Sequence, residues 1–535
     1  MEQRSNSQMS FGPPLSAVVS RWSADTSVSA DIEHFQVSIE CPADKLTDVC
    51  EWLTTEANYK FATLIASESE TEWLLRYVFY GDVGCGQVQV LIRLAKTDSA
   101  APSISSKVHA ADWHEREVED LFGITFEGHP RLGDFVLHEE WPEGVNPMRS
   151  DFNPAEPYPH REAKPEWRPL RILQASGAFV MPIGPVYSDY AESAQFFLET
   201  VGEDVVRTTP RFFYKYRGVE KLAEGQPIEQ VLLMAERFSG TSAFAHSLAF
   251  CQAVEKISGF EPNPRVQAIR VLLAELERLR HHVGAIAGIC RSTALAVSAS
   301  QASILEEELL RLSCQLTGHR YLFGANIPGG LSIELNDEKC LKLKNFVDSV
   351  IERLAVLLKM LRSSSSFLDR LEEVGVISEA DTVSYGLVGP VARASGVAYD
   401  LRKVLPYGAY GRGLQFNVPV EFAGDGYARL RILFSEVEES AAIIRDVASN
   451  LPRGQSVSEQ IKITTGEVLS WVEAPLGAAF HWIRIDESGM VGRYRITPPS
   501  FTNWHGFHLA AENFAFQDFP IILATFGLSC AECDR

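Results

Sequence analysis

The sequence contains no run of about 18–20 consecutive apolar residues, the length a helix needs to cross a bilayer. Its first thirty residues also lack the basic n-region, apolar h-region and small-residue cleavage site of a secretory signal. Any association with a membrane is therefore expected to come through partner subunits. Basic residues are in deficit: 49 Lys and Arg face 70 Asp and Glu, a net charge of −21. A field of that sign repels phosphate backbones and anionic lipid, which excludes nucleic acid as the main partner. Cysteine is sparse and odd in number, nine in 535 residues, and most stand singly among apolar neighbours. This usage excludes a disulfide scaffold and suits buried thiols in a reducing compartment, with the cytosol as the default.

What is present is globular, with 46% hydrophobic and 22% charged residues. The length predicts two to four domains. Residues 1–34 are rich in Ser and Pro and are expected to fray. From 35 to 150 the sequence reads as a small mixed α/β domain: a strand at 35–40, a helix at about 44–57, then strands near 60–66, 72–80 and 87–94. The stretch 151–178 carries Pro154, Pro157, Pro159, Pro165 and Pro169 and reads as a linker, since proline interrupts both helix and central strand. Residues 179–535 read as a mainly helical domain. Ile269, Leu272, Leu273, Leu276, Leu279, Val283 and Ile286 recur at three- and four-residue steps. Similar spacing covers about 228–257, 300–323, 338–374 and 427–450, and strand-like alternation covers 458–500. The predicted fold class is α+β.

Asp112-Trp113-His114-Glu115-Arg116-Glu117-Val118-Glu119-Asp120 is dense in ionisable groups. Glu117 and Asp120, one helical turn apart, form a candidate carboxylate pair for acid–base or metal chemistry. The alternative is an acidic helix face stopped by Gly123. Glu306-Glu307-Glu308 and Glu436-Val437-Glu438-Glu439 read as solvated faces. Gly408-Ala409-Tyr410-Gly411-Arg412-Gly413 lacks the Lys-Ser/Thr and helix start of a phosphate loop.

The acidic segment, with Trp141-Pro142-Glu143-Gly144 and Met148-Arg149-Ser150-Asp151-Phe152, resembles the 30-kDa subunit of respiratory complex I, the NADH:quinone oxidoreductase, and the matching half of group 4 hydrogenase large subunits. The remainder resembles the 49-kDa complex I subunit and the nickel-iron hydrogenase large subunit. The matching segments include Gly184-Pro185-Val186-Tyr187, Tyr216-Arg217-Gly218-Val219-Glu220, Ala235-Glu236-Arg237, Phe244-Ala245-His246-Ser247, Glu275-Leu276-Glu277-Arg278, Arg393 to Lys403, Glu473-Ala474-Pro475-Leu476-Gly477 and Cys533-Asp534-Arg535. The resemblance runs from about residue 35 to the end.

The resemblance implies two chemistries, and this sequence departs from both. A nickel-iron centre takes four thiolates from two Cys-x-x-Cys pairs, because soft sulfur holds those metals. Here the first pair falls on Ser239 and Ser242 and the second on Ser529 and Glu532, with Cys530 and Cys533 one residue later. No nickel-iron centre is therefore expected, and Cys530 and Cys533 remain weak candidates for a zinc or redox-sensor site with His246 or Cys251. The chain also stops where hydrogenases of this group carry a removable extension, in keeping with a metal-free subunit. Quinone chemistry in the family uses a His, a Tyr and an Asp where this chain has Tyr187, Gly240 and Ser292. The degenerate cavity is thus composed of Tyr187, Glu220, Arg237, Ser239, Gly240, Ser242, His246 and Ser292, with Glu236 bordering it. A buried Glu220 and His246 suit proton relay, and the plainer alternatives are a Glu220–Arg237 pair and a hydrogen-bonded core histidine.

The expected function is a subunit of a membrane-associated oxidoreductase complex of the NADH dehydrogenase or hydrogenase type. It would contribute to electron transfer, with quinone as one candidate acceptor, coupled to proton or sodium translocation. The expected partners are a small iron-sulfur subunit, which holds the cluster, and antiporter-like membrane subunits. The expected location is peripheral, on the cytoplasmic side of the inner or plasma membrane. Two alternatives stand beside it: a redox-silent structural subunit, and a true hydrogenase with atypical ligation through Cys530 and Cys533.

Overall fold

The computed structural model describes residues 15–24, 26–31, 36–156, 158, 161, 177–186, 192–457 and 459–535. Most of the expected linker, and Tyr187, lie outside these residues. The chain divides into two compact units, one made chiefly of residues up to 135 with 143–158, the other of 159–402 and 406–535 with 136–142.

The first unit is built on a five-stranded mixed sheet in the order Ser27–Asp31, Gln36–Glu40, Gln87–Ala95, Glu72–Tyr80, Lys60–Glu68. Only Gln36–Glu40 and Gln87–Ala95 run parallel, and the intervening chain makes that crossover. The helix Leu46–Thr55 buries Leu46, Val49, Cys50 and Leu53. The stretch expected to fray carries the helix Leu15–Trp22, which buries Val18 and Trp22, as well as the edge strand Ser27–Asp31.

The acidic segment forms the helix Asp112–Phe122, ended by Gly123 at φ 70°, where a Cβ would meet Asn146 at 2.6 Å. Its acids are not a solvated face: Glu115, Glu117 and Asp120 are buried. Glu115 accepts the Ile104 N–H at 2.9 Å, Asp120 the Phe135 N–H at 2.9 Å, and Glu119 the Gly133 N–H at 2.9 Å. The carboxylates pin neighbouring loops by satisfying backbone donors, which accounts for their burial without catalysis.

In the second unit the amphipathic helices pack as a bundle: Pro264–Ser292, Ala296–Thr317, Asp337–Arg362 and Gly426–Ser449. Asn263 starts the first by accepting the N–H groups of Arg265 and Val266. The apolar pattern over 228–257 is split into Ile228–Arg237 and Ala243–Ile257 by the loop Phe238–Ser242. The strand-like region forms a meander of Gly466–Ala474, Gly477–Ile485 and Val491–Thr497, on which Ala243–Ile257 packs. A four-stranded sheet in the order Phe514–Ala515, Asp204–Arg211, Gln195–Val201, Ala178–Ile183 was not visible in the sequence pattern. Among the described residues no helix is long and apolar enough to cross a membrane.

The bundle also encloses charge. Glu436, expected on a solvated face, is 1% exposed and bonded to Arg393 at 2.7 Å and His282 at 2.8 Å. Glu438 of the same run does face solvent. The side chain of Arg393 is fully buried and also reaches Glu473 at 2.9 Å, so it joins the helix Gly389–Ala394 to the helix Gly426–Ser449 and the strand Gly466–Ala474. Removing one partner of such a pair strands the other charge in low dielectric. Arg393→Ala is expected to lower stability by about 3–5 kcal/mol in urea unfolding. A loss under about 1 kcal/mol, the value of an exposed ion pair, would contradict this reading.

Candidate functional site

The loop Phe238–Ser242 and the helix Ala243–Ile257 bring Ser239, Thr241, Ser242 and His246 to one place, and the C-terminal segment brings Ser529 and Glu532 to meet them. Ser239, Ser242, His246, Ser529 and Glu532 are each at most 2% exposed, whereas Thr241 is half-buried. Glu532 is the centre. Its Oε1 accepts the hydroxyls of Ser239 at 3.2 Å and Thr241 at 3.1 Å, and the Ser500 N–H points at Oε2 from 3.3 Å. Nε2 of His246 stands 3.5 Å from the same Oε1. Burial pushes the Glu532 carboxyl up, but His246 and the hydroxyl donors outweigh it and hold the acid below the usual carboxylate range.

A second set of contacts runs from the other side of His246. Its Nδ1 lies 2.9 Å from Nε2 of His481, and Nδ1 of His481 lies 2.7 Å from the Tyr494 hydroxyl. His481 and Tyr494 sit on adjacent strands of the meander and are fully buried. Burial first, then His246, lowers the His481 imidazole well below its usual range, so His481 is neutral. A neutral His481 that donates from one nitrogen accepts on the other, giving the line Tyr494, His481, His246, Glu532 a definite polarity.

The C-terminal segment is held in place by Glu192, whose carboxylate accepts the Ala531 N–H at 2.7 Å and the Ser529 hydroxyl at 2.9 Å. Arg217 donates to the Asp534 carbonyl at 2.9 Å. Arg535 donates to Glu220 at 3.0 Å, and Glu220 also accepts the Ile496 N–H at 2.9 Å. Glu220 is thus paired with Arg535 and Arg495 and not with Arg237. The Arg237 side chain is 55% exposed and lies over the Phe323 ring, 3.3 Å from Glu236. Gly240 is exposed, and Ser292 donates to the Ile289 carbonyl at 2.9 Å at its own helix end. Gly240 and Ser292 carry no donor into the group around Glu532. Tyr187 lies outside the described residues.

This donor set does not fit a nickel-iron centre. Its side chains are hydroxyls and one carboxylate, hard oxygen donors where the metals take thiolate, and the carboxylate is already engaged by Ser239, Thr241 and His246. Cys530 and Cys533 lie on the short helix Cys530–Cys533 and are fully buried, with Cys533 directed at the Ser529 carbonyl. Burial raises the Cys533 thiol well above its usual range, which opposes the thiolate a metal would require. Among the described residues no group of three or more His, Cys, Asp and Glu side chains is placed to hold a metal ion. His481, Tyr494 and Glu192 are site residues the sequence alone did not single out.

Glu532→Gln tests the role of this carboxylate. A group whose folded pKa is depressed contributes stability above its unfolded pKa of about 4.3, and loses it as pH falls through the folded value. The substitution is expected to cost about 1–3 kcal/mol near neutral pH. Below about pH 4 the difference from the parent should shrink, because the parent's own carboxylate is then being protonated. A pH-independent difference would contradict the assignment.

Models of two known families match the chain. Residues 39–158 match the respiratory-chain NADH dehydrogenase 30 Kd subunit. Residues 300–465 and 455–535 match the respiratory-chain NADH dehydrogenase 49 Kd subunit. The chain is 27% identical over 506 residues to formate hydrogenlyase subunit 5 of Escherichia coli strain K12, covering 93% of this chain and 88% of that protein. It is 27% identical over 496 residues to an NADH-quinone oxidoreductase subunit of Bdellovibrio bacteriovorus, covering 86% of this chain and 87% of that protein. Among solved structures, a chain of the membrane-bound sulfane sulfur reductase, an archaeal respiratory membrane complex, aligns with a TM-score of 0.64 at 26% identity, covering 68% of this chain and all of that one. The protein is a fusion of a complex I 30-kDa-like part with a 49-kDa-like, group 4 hydrogenase large-subunit-like part, and hence a subunit of an oxidoreductase complex related to both families.

Proposed function

We propose that this chain is a peripheral core subunit of a membrane-associated oxidoreductase complex, seated on the cytoplasmic face, that contributes to electron transfer coupled to ion translocation without a metal centre of its own. In this reading the electrons pass through an iron-sulfur cluster in a small neighbouring subunit, and antiporter-like membrane subunits move the ion. The likeness to formate hydrogenlyase, NADH-quinone oxidoreductase and sulfane sulfur reductase proteins supports it. The observation that carries it is the buried carboxylate of Glu532, at a position the family resemblance assigns to a metal ligand, hydrogen-bonded to Ser239 and Thr241 and facing His246. A carboxylate and a pair of histidines handle protons, and they do not hold an electron.

A second reading, a redox-silent connector, is favoured by the burial of the group: Ser239, Ser242 and His246 are at most 1% exposed and face one another, not solvent. The two differ in what the assembly does when this subunit is altered. Affinity purification of the chain from solubilised native membranes is expected to bring an iron-sulfur subunit and multi-spanning membrane proteins with it. Recovery of the chain alone would contradict both readings. If the assembly is recovered, inhibition by a quinone analogue that is lost in Tyr187→Phe supports the electron-transfer reading. Inhibition unchanged by that substitution supports the connector.

A further inference from the structure

A cavity of about 340 Å³ opens by the C-terminal half of the helix Ala243–Ile257, the start of Pro264–Ser292 and the turn Gly408–Arg412. Tyr407 and Tyr410 line it, and both lead inward. The Tyr410 hydroxyl donates to Glu275, and the Tyr407 hydroxyl accepts the backbone N–H of Glu473 at 3.0 Å. Glu275 and Glu473 belong to the buried ion network around Arg393.

That network holds more acid than base. Its carboxylates are Glu275, Asp400, Glu436 and Glu473, and its permanent cations are Arg278, Arg393 and Arg402, all at most 4% exposed. Arg402 bonds Asp400 at 2.6 Å and Glu275 at 2.8 Å. Glu275 also accepts the Ser440 hydroxyl at 2.7 Å and Arg278 at 3.3 Å. Arg393 is shared between Glu436 and Glu473, with Asp400 at 3.6 Å. On the same helix, Glu277 accepts the Phe244 and Ala245 N–H groups at 2.7 and 3.0 Å and Arg280 donates to the Thr241 carbonyl at 2.9 Å, so this further acid and base add one charge of each sign and leave the surplus of acid unchanged. His281 and His282, whose Nδ1 atoms stand 3.3 Å apart, border the network, and burial lowers both imidazoles, which disfavours their charged forms. The helix Phe519–Phe526, packed against Pro264–Ser292, contributes no ionisable side chain.

A net charge at this depth is costly, and protonation of one carboxylate removes it. Glu436 is held ionised by Arg393 and His282, and Asp400 and Glu275 by Arg402. Glu473 shares Arg393 with Glu436, and Asp400 is its like-charged neighbour. Burial, then Asp400, raises its carboxyl above the usual range. Nη2 of Arg393 has no acceptor among the described residues, which leaves a donor unanswered in the middle of the network.

We propose that this network is a proton-binding site, that Glu473 carries the proton as a neutral carboxylic acid, and that the cavity behind Tyr407 and Tyr410 connects it to water. Loading and release move one proton and no electron. The site is separate from the group around Glu532 and does not depend on which complex the chain serves.

The test compares Glu473→Gln with Glu436→Gln in the purified full-length chain by thermal unfolding across pH. Glutamine is the shape of a protonated glutamate, so Glu473→Gln is expected to melt within about 1 °C of the parent near pH 5, whereas Glu436→Gln, which removes a charge, melts roughly 3–5 °C lower. The folded pKa of Glu473 is the raised one, so the parent's stability from this group is complete below about pH 4.3 and declines as pH rises toward the folded value. Glu473→Gln lacks that decline and should gain on the parent from pH 5 to 7. Similar losses in both variants, or a Glu473→Gln difference that does not move with pH, would overturn the proposal.

Discussion

The arrangement of the candidate site depends on one buried carboxylate: Glu532, fully enclosed and answered by Ser239, Thr241, His246 and the Ser500 N–H. An unanswered carboxylate at that depth would be expelled or protonated. Because it is answered, the segment that carries it is fixed against the loop Phe238–Ser242, with Glu192, Arg217 and Glu220 fastening the residues on either side. Ser239 and Ser529 are therefore not idle. They are the right donors for an oxygen acceptor, just as thiolates are the right ligands for soft metals.

The second unit uses buried charge twice, in different ways. Around Glu532 a buried acid sits among hydroxyl and backbone donors with His246 beside it. Around Arg393 several acids and arginines interlock across four segments far apart in sequence, so register and packing of the bundle are specified together. Buried ion networks are weak contributors to net stability compared with apolar packing, and their better-attested role is to exclude alternative arrangements. The apolar core supplies the stability: Leu272, Leu276, Leu279, Val283 and Ile286 of Pro264–Ser292 are all essentially inaccessible to solvent.

Much of this was legible in the sequence where the signal is periodic. The helices Pro264–Ser292 and Gly426–Ser449 and the strands Lys60–Glu68, Glu72–Tyr80 and Gln87–Ala95 lie where their patterns put them. The break between Ile228–Arg237 and Ala243–Ile257 was hidden because apolar spacing continues across it. The strands from 178 to 211 were hidden because their burial is patchy, without clean alternation. Glu436 was misjudged because a Glu-Val-Glu-Glu run looks solvated locally, while its partners Arg393 and His282 are 43 and 154 positions away. His481 did leave a trace, as a polar side chain in the mainly apolar strand Gly477–Ile485, whereas Tyr494 stands between Arg493 and Arg495, and nothing in the sequence connects either to His246. Ser239 meets Glu532, one of the two positions on which the second pair of the family motif was expected to fall.

The central claim is that the chain's own carboxylate fills the place where relatives of the hydrogenase type hold metal. Elemental analysis of the complex purified under anaerobic conditions tests it most directly. The account predicts nickel far below one atom per chain, with any iron accounted for by partner subunits. One nickel per chain, lost on replacement of Glu532 or Ser239, would contradict it.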